Sequence, residues 1–174
     1  SHEKEFLMTL LKDLLELIKI RILFAALLMV FLGYWLAIDF GFIDMNYLLV
    51  GFLGVSFVFS AAAGLNHFLE VDIDSRMQRT QNRPLPMQRL SKRFVLFGSL
   101  VVGLIGCVIL YFHTTVLCLI TALMTWVLYD AVYTPLKRTS SWNTVVGAVP
   151  GALPVFCGWF FVKGGIEVSI LLVF

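Results

Sequence analysis

The sequence has 174 residues, 60% of them hydrophobic and 14% charged, with a net charge of +2 and a mean hydropathy of +0.92. That balance lies outside the soluble globular range and excludes an ordinary water-soluble domain. Several apolar runs approach the roughly 20 residues that cross a hydrocarbon core about 30 Å thick, so a single all-α, polytopic transmembrane helical domain over residues 1–174 is expected. Its partner is a lipid bilayer, and no nucleic acid is expected.

Residues 3–19, EKEFLMTLLKDLLELIK, set apolar side chains at 6, 7, 10, 11, 14, 15, 17 and 18 with charges between them. That spacing predicts a short amphipathic helix lying at the membrane surface. Lys19 and Arg21 close this polar segment, and Ile22 to Ile38 reads as a first span. Asp39 and Asp44 mark a short acidic loop before a second span, Tyr47 to Leu65.

An ionic stretch follows, NHFLEVDIDSRMQRTQNRPLP from Asn66 to Pro86, and runs on to Lys92 and Arg93. A third span covers Phe94 to Phe112, with a tight turn at His113-Thr114-Thr115 and a fourth span from Val116 to about Tyr133. The loop Thr134 to Ser141 carries Lys137 and Arg138. A fifth span, Asn143 to Val162, is expected to be broken by Pro150 and Pro154, with Gly147 and Gly151 thinning it beside a substrate cavity. After Lys163-Gly164-Gly165 a sixth run starts at Ile166 and reaches Phe174 in nine residues. At about 1.5 Å per residue that run cannot cross the core, which predicts five full spans, the start of a sixth, and a chain truncated at its C-terminus.

The three cysteines, Cys107, Cys118 and Cys157, all fall inside apolar runs without the paired spacing of a metal site, and read as small buried hydrophobes. The basic residues cluster in the segments up to Arg21, from Arg76 to Arg93, and at Lys137-Arg138, while the intervening loops carry Asp39, Asp44, His113, Lys163 and Glu167. Alternating spans put every basic cluster on one face, which the positive-inside rule makes cytoplasmic. This expectation places the chain in a bacterial inner membrane, or in the mitochondrial inner membrane with the same face towards the matrix.

If the second span continues as a helix past Leu65, Asn66, Glu70 and Asp74 fall at i, i+4 and i+8. Such steps drift only about 40° each and make one polar stripe about 12 Å long. Asp72 lies well off the stripe and takes a lesser role. Arg79 and Arg83 repeat the four-residue spacing, and Pro84 and Pro86 predict where the helix stops. Carboxylate and amide oxygens suit Mg²⁺, which takes one or two carboxylates and fills its shell with water and phosphate oxygens. With arginines for the phosphates, the cluster suits ionisation of a diphosphate ester whose apolar chain becomes an allylic cation. Other readings stay open at this point: solvated charges on a cytoplasmic turn, a basic loop on anionic headgroups, or the polar path of a transporter or structural subunit.

The string from Asn66 to Pro86 resembles the first aspartate-rich motif of the UbiA-type intramembrane prenyltransferases. Its tail, Asp72-Ile73-Asp74, Met77, Arg79-Thr80 and Arg83-Pro84-Leu85, is most similar to the haem-farnesylating branch of that family. A second segment, YTPLKRTSSWNTVVGAVPGALPVFCGW from Tyr133 to Trp159, resembles the family's segment after its fourth helix. The resemblance implies a Mg²⁺-dependent transfer of farnesyl from farnesyl diphosphate to haem b, giving haem O. It implies that Asn66, Glu70 and Asp74 hold the Mg²⁺–diphosphate, that Arg79 and Arg83 flank it, and that Tyr133 and Lys137 reach it from the second loop. A 4-hydroxybenzoate-type aromatic is the alternative acceptor.

Two departures from the family pattern stand out. Glu70 occupies a position where many relatives carry aspartate, which lengthens the reach by one methylene. The family's second aspartate-rich motif would lie beyond Phe174, so the chain as given is expected to be inactive. His67 and His113 are minor candidates for a haem ligand, with His67 the nearer to the stripe.

Overall fold

The computed structural model describes residues 2–129, 143–167 and 170, with the segment 143–150 described by its backbone. Among the described residues six helices occur: α1 (His2–Leu17), α2 (Ile20–Ala37), α3 (Met45–Asp74), α4 (Lys92–His113), α5 (Val116–Val127) and α6 (Asn143–Trp159). No strand occurs among the described residues. Three of the helices, α2, α3 and α4, are long and apolar enough to cross a membrane, and α5 is a shorter apolar helix.

Local chemistry sets the helix ends. Asp44, Ser91 and Thr115 are extended N-caps whose side chains accept from the backbone N–H groups of Tyr47, Phe94 and Cys118, satisfying donors the first turn leaves open. The turn at His113-Thr114-Thr115 is therefore formed as the sequence predicts. The acidic loop before α3 turns through Asp39 and Phe40, both at positive φ.

The α3 helix is longer than the predicted span and runs unbroken for 30 residues, carrying the whole stripe. It ends at Asp74, with Ser75 as C-cap, and not at Pro84-Pro86 as the proline positions suggested. Side-chain bonds end it earlier. Ser75 Oγ donates to the Asp72 carbonyl at 2.8 Å, and Thr80 Oγ1 donates to the Asp74 carbonyl at 3.1 Å, taking acceptors a longer helix would use. Residues 75–91 then form successive turns, and Leu85 and Leu90 sink into a cluster with Leu17, Val71 and Val95.

The α6 helix also departs from expectation, because it continues through Pro150 and Pro154 to Trp159 without a break. A proline removes one backbone donor and crowds the preceding turn, but neighbouring helices can hold the rest of the ladder together. Here α6 packs closely on α2 and on α5. The main core joins α2, α3, α5 and α6 through Val30, Tyr34, Val55, Val58, Cys118, Ala122, Phe156 and Trp159, and Leu110 of α4 and Phe161 just past α6 complete it. The most extensive pairing is α3 on α4. At Gly106 of α4 an added Cβ would press on the Gly54 carbonyl of α3, so small residues let the backbones approach there. Large apolar side chains such as Phe24, Leu28, Phe97, Leu104 and Phe112 point outward, as hydrocarbon surroundings allow.

The helix α1 is formed, and leaves Phe6, Leu7, Met8, Leu11 and Leu15 exposed. On its other face Asp13 is only 4% exposed. Asp13 receives Arg89 through Nε at 2.9 Å and Nη2 at 2.9 Å, a bidentate contact that ties α1 to the turns after α3. That hydrogen bonding raises the Arg89 pKa further above its ordinary value.

Candidate diphosphate–metal site

Asn66, Glu70 and Asp74 share the inward face of the last turns of α3, at 2%, 9% and 3% exposure. Helical periodicity alone brings them together, and the structure carries that periodicity to the final residue of the helix. Asp72 projects the other way. Its side chain is 84% exposed and its nearest cation, Lys92, stands 3.5 Å away. The distinction drawn from spacing between the stripe and Asp72 therefore holds in the fold.

The two arginines separate. Arg83 reaches back across the turns and sets Nη1 at 2.6 Å from Asp74 Oδ2. Arg79 is exposed and has no ion-pair partner among the described residues. Both lie in turns, so their four-residue spacing does not put them on one helical face. Tyr133 and Lys137 lie outside the described residues.

Sequence reasoning treated Lys19 as an ordinary boundary charge, and the structure gives it a place in the site. The residue sits between α1 and α2 in the left-handed region, with φ 52 and ψ 54. Its Nζ donates to Asn66 Oδ1, donates to the Tyr129 hydroxyl at 3.1 Å, and lies 5.2 Å from the centre of the Tyr129 ring. Tyr129, just past α5, was likewise missed. The only local signal for Lys19 was its position as the last charge of the surface helix, which does not say what it faces. His67, adjacent to Asn66, is 1% exposed, and neither of its ring nitrogens has a hydrogen-bond partner among the described residues. His113 is exposed at the opposite end of α4 from the turns beside the stripe.

The arrangement joins two carboxylates and an amide oxygen with two cations. Asp74 is engaged by Arg83 and Asn66 by Lys19, while the buried Glu70 carboxylate has no ion-pair partner among the described residues. Among the described residues no three His, Cys, Asp or Glu side chains gather into a metal-binding group. An open set of hard oxygen donors suits a cation that takes one or two carboxylates and shares the rest of its shell with phosphate and water. It does not suit a closed protein cage. The donor chemistry fits Mg²⁺ in that shared form, with Glu70 the donor that needs no rearrangement of a salt bridge.

Long apolar helices with a buried acid–amide stripe at one helix end define an integral membrane protein of the all-helical class. Residues 26–174 match the UbiA prenyltransferase family, and the chain belongs to that family. It is 35% identical over 169 residues to a Protoheme IX farnesyltransferase of Vesicomyosocius okutanii subsp. Calyptogena okutanii (strain HA), covering 95% of this chain and 57% of that one. It is 34% identical over 162 residues to a protein of the same name from Legionella pneumophila (strain Paris), covering 92% and 55%. A third such protein, from Aromatoleum aromaticum (strain DSM 19018 / LMG 30748 / EbN1), is 38% identical over 144 residues, covering 82% and 47%. The chain thus spans about half the length of the curated relatives it matches. The fold also superposes on a solved structure of digeranylgeranylglyceryl phosphate synthase in membranes, with a TM-score of 0.77 at 23% identity, covering 94% of this chain and 56% of that one.

Proposed function

We propose that the protein transfers a farnesyl group from farnesyl diphosphate to the vinyl group of haem b, giving haem O and releasing diphosphate. The observation that carries the reading is the inward stripe of Asn66, Glu70 and Asp74, met by Arg83, in a chain of the UbiA family. The similarity to proteins named Protoheme IX farnesyltransferase supports haem as the acceptor over a 4-hydroxybenzoate-type aromatic.

In this reading Asn66, Glu70 and Asp74 hold the Mg²⁺–diphosphate. When bound, Mg²⁺ neutralises charge on the departing diphosphate. Arg83 donates to the phosphate oxygens from the position where it now meets Asp74, and Arg79, Tyr133 and Lys137 complete the polar mouth. The bond between the farnesyl C1 and its phosphate oxygen breaks, with the electron pair leaving on diphosphate. The allylic cation remains among apolar helices, and the vinyl π electrons of haem b form the new carbon–carbon bond. The cation left on the vinyl carbon next to the porphyrin ring takes up one water molecule, which loses a proton and becomes the hydroxyl of haem O. The protein's contribution is fixed charge placed where the leaving group gains it.

The same proposal extends to topology: five full spans and the start of a sixth in an inner membrane, with the stripe on the cytoplasmic or matrix side. The concentration of Arg76, Arg79, Arg83, Arg89, Lys92 and Arg93 around the stripe supports that side. The confinement of the acids to one helix end favours an enzyme over a transporter, whose ionisable groups would sit near the bilayer midplane. Incubating the full-length protein with haem b, farnesyl diphosphate and Mg²⁺ tests the reading. Haem O detected by mass is the expected product. Prenylated 4-hydroxybenzoate in its place would transfer the proposal to the aromatic acceptor, and no prenyl transfer to either acceptor would end it.

A further inference from the structure

We propose that Lys19 is the resident cation of the α3 stripe, holding the Asn66 amide oxygen until a metal–diphosphate enters and then moving onto the diphosphate. The inference rests on the metal–diphosphate reading above and assigns a role to a residue outside the acidic motif.

The backbone around Lys19 is fixed from both sides. Its N–H donates to the Glu16 carbonyl of α1 at 3.1 Å, and its own carbonyl accepts from Ile22 at 2.8 Å and Leu23 at 3.1 Å to begin α2. A lysine at φ 52 occupies a region that residues with a Cβ seldom adopt, and it is held there by two helices meeting at a sharp break. The break turns the side chain inward, towards Asn66 and Tyr129, where a continuous helix would have carried it elsewhere. Asn66 is 2% exposed, so the ammonium reaches a buried member of the stripe.

Lysine suits an exchange of partners. Its ammonium is a compact point charge on a flexible stem, able to follow an anion over a few ångströms, whereas a guanidinium is committed to a planar geometry. At Asn66 it occupies the oxygen that a hard cation would use. A bare divalent ion must therefore displace Lys19 and then bear repulsion from it in a partly desolvated site. A diphosphate arriving with the ion removes that conflict, because its oxygens give Lys19 a charged acceptor in place of a neutral amide. Lys19 thus opposes the metal alone and favours the metal with its anion. A tie that only joined α1 to α3 would influence both in the same direction.

The test uses the full-length protein and two probes, Mn²⁺ alone as a spectroscopic substitute for Mg²⁺, and farnesyl diphosphate. Lys19→Met is expected to bind Mn²⁺ alone roughly tenfold more tightly by electron paramagnetic resonance, while its KM for farnesyl diphosphate rises about tenfold with kcat little changed, the scale of one charge-assisted bond. Lys19→Arg keeps the charge but not the mobile point geometry, and should still oppose Mn²⁺ alone while recovering only part of the KM for farnesyl diphosphate. Lys19→Gln, which keeps a donor without the charge, repeats the measurement if the methionine variant does not fold. Mn²⁺ affinity unchanged or weakened in the neutral variants, or an unchanged KM, overturns the proposal. If the wild type binds Mn²⁺ and Asp74→Asn abolishes that binding, the metal reading survives such a failure. If the wild type binds no Mn²⁺ even with farnesyl diphosphate present, the metal reading falls, and the role of Lys19 falls with it.

Discussion

Arg83 sets its Nη1 2.6 Å from Oδ2 of Asp74, the last residue of α3, so the loop after the helix closes onto the third member of the stripe. Thr80 from the same loop donates to the Asp74 carbonyl at 3.1 Å, so both the side chain and the backbone of Asp74 are fixed. Replacing Asp74 by Asn keeps the shape and an oxygen for Arg83 but removes the charge. We expect Asp74→Asn to lower prenyl transfer by about 10²–10³-fold, the scale of losing one fixed electrostatic partner. Folding should be retained, as read by thermal unfolding in detergent. Haem O formation within a few-fold of the wild type would remove Asp74 from the machinery.

Asp72 supplies the matching control two residues away. It is exposed and among the described residues pairs only with the exposed Lys92 at 3.5 Å, an arrangement worth about 0–1 kcal/mol. Asp72→Asn should therefore leave both stability and haem O formation near the wild type. Glu70→Gln neutralises an inward carboxylate that has no ion-pair partner among the described residues, and should fall with Asp74→Asn, by about 10²-fold. Equal losses at Asp72 and Glu70 would show that the motif acts through its total charge and not through one helical face.

Helical periodicity made much of this legible. A spacing of four residues survives any change in helix tilt, so the grouping of Asn66, Glu70 and Asp74 and the exclusion of Asp72 follow from α3 being a helix at all. The all-helical class followed equally from the long apolar runs. The end of α3 was harder, because prolines mark where a helix cannot continue, while the actual stop at Asp74 came from Ser75 and Thr80 taking the backbone carbonyls of Asp72 and Asp74, well upstream of Pro84. The prolines of α6 misled for a related reason, since the neighbouring helices hold that helix continuous. Lys19, Tyr129 and the Asp13–Arg89 pair were illegible because each contact joins residues at least 47 positions apart, where no local pattern records the partner.

The pairing of α2 with α6 depends on two reciprocal glycines. A Cβ on Gly33 would strike the Val155 carbonyl, and a Cβ on Gly158 would strike the Val30 carbonyl. Backbone cannot rotate away as a side chain can, so each methyl must push the helices apart. Gly33→Ala and Gly158→Ala should each destabilise the protein by about 1–3 kcal/mol, as overpacking does elsewhere. The expected readout is a lower unfolding temperature in detergent for either variant, and Gly151→Ala, whose Cβ meets nothing within 4 Å, serves as the neutral comparison. Unchanged thermal stability in both reciprocal variants would contradict the close approach.

Asp13 is 4% exposed although it is charged, and Arg89 engages both of its carboxylate oxygens. Arg89 Nη2 also donates to the Asn82 carbonyl at 3.1 Å, so one guanidinium fastens α1 to two points of the loop that positions Arg83. Removing the carboxylate leaves Arg89 to solvent, because its side chain is already 35% exposed. The cost of Asp13→Ala is therefore set at about 1–2 kcal/mol, below that of a fully buried pair. The loss should be local, with faster proteolysis within α1 and a raised KM for farnesyl diphosphate as the loop carrying Arg83 loosens. Arg89→Lys keeps the charge but not the fork, and should recover only part of the defect. If Asp13→Ala resists protease as well as the wild type and keeps its KM, the pair does not hold α1 to the site.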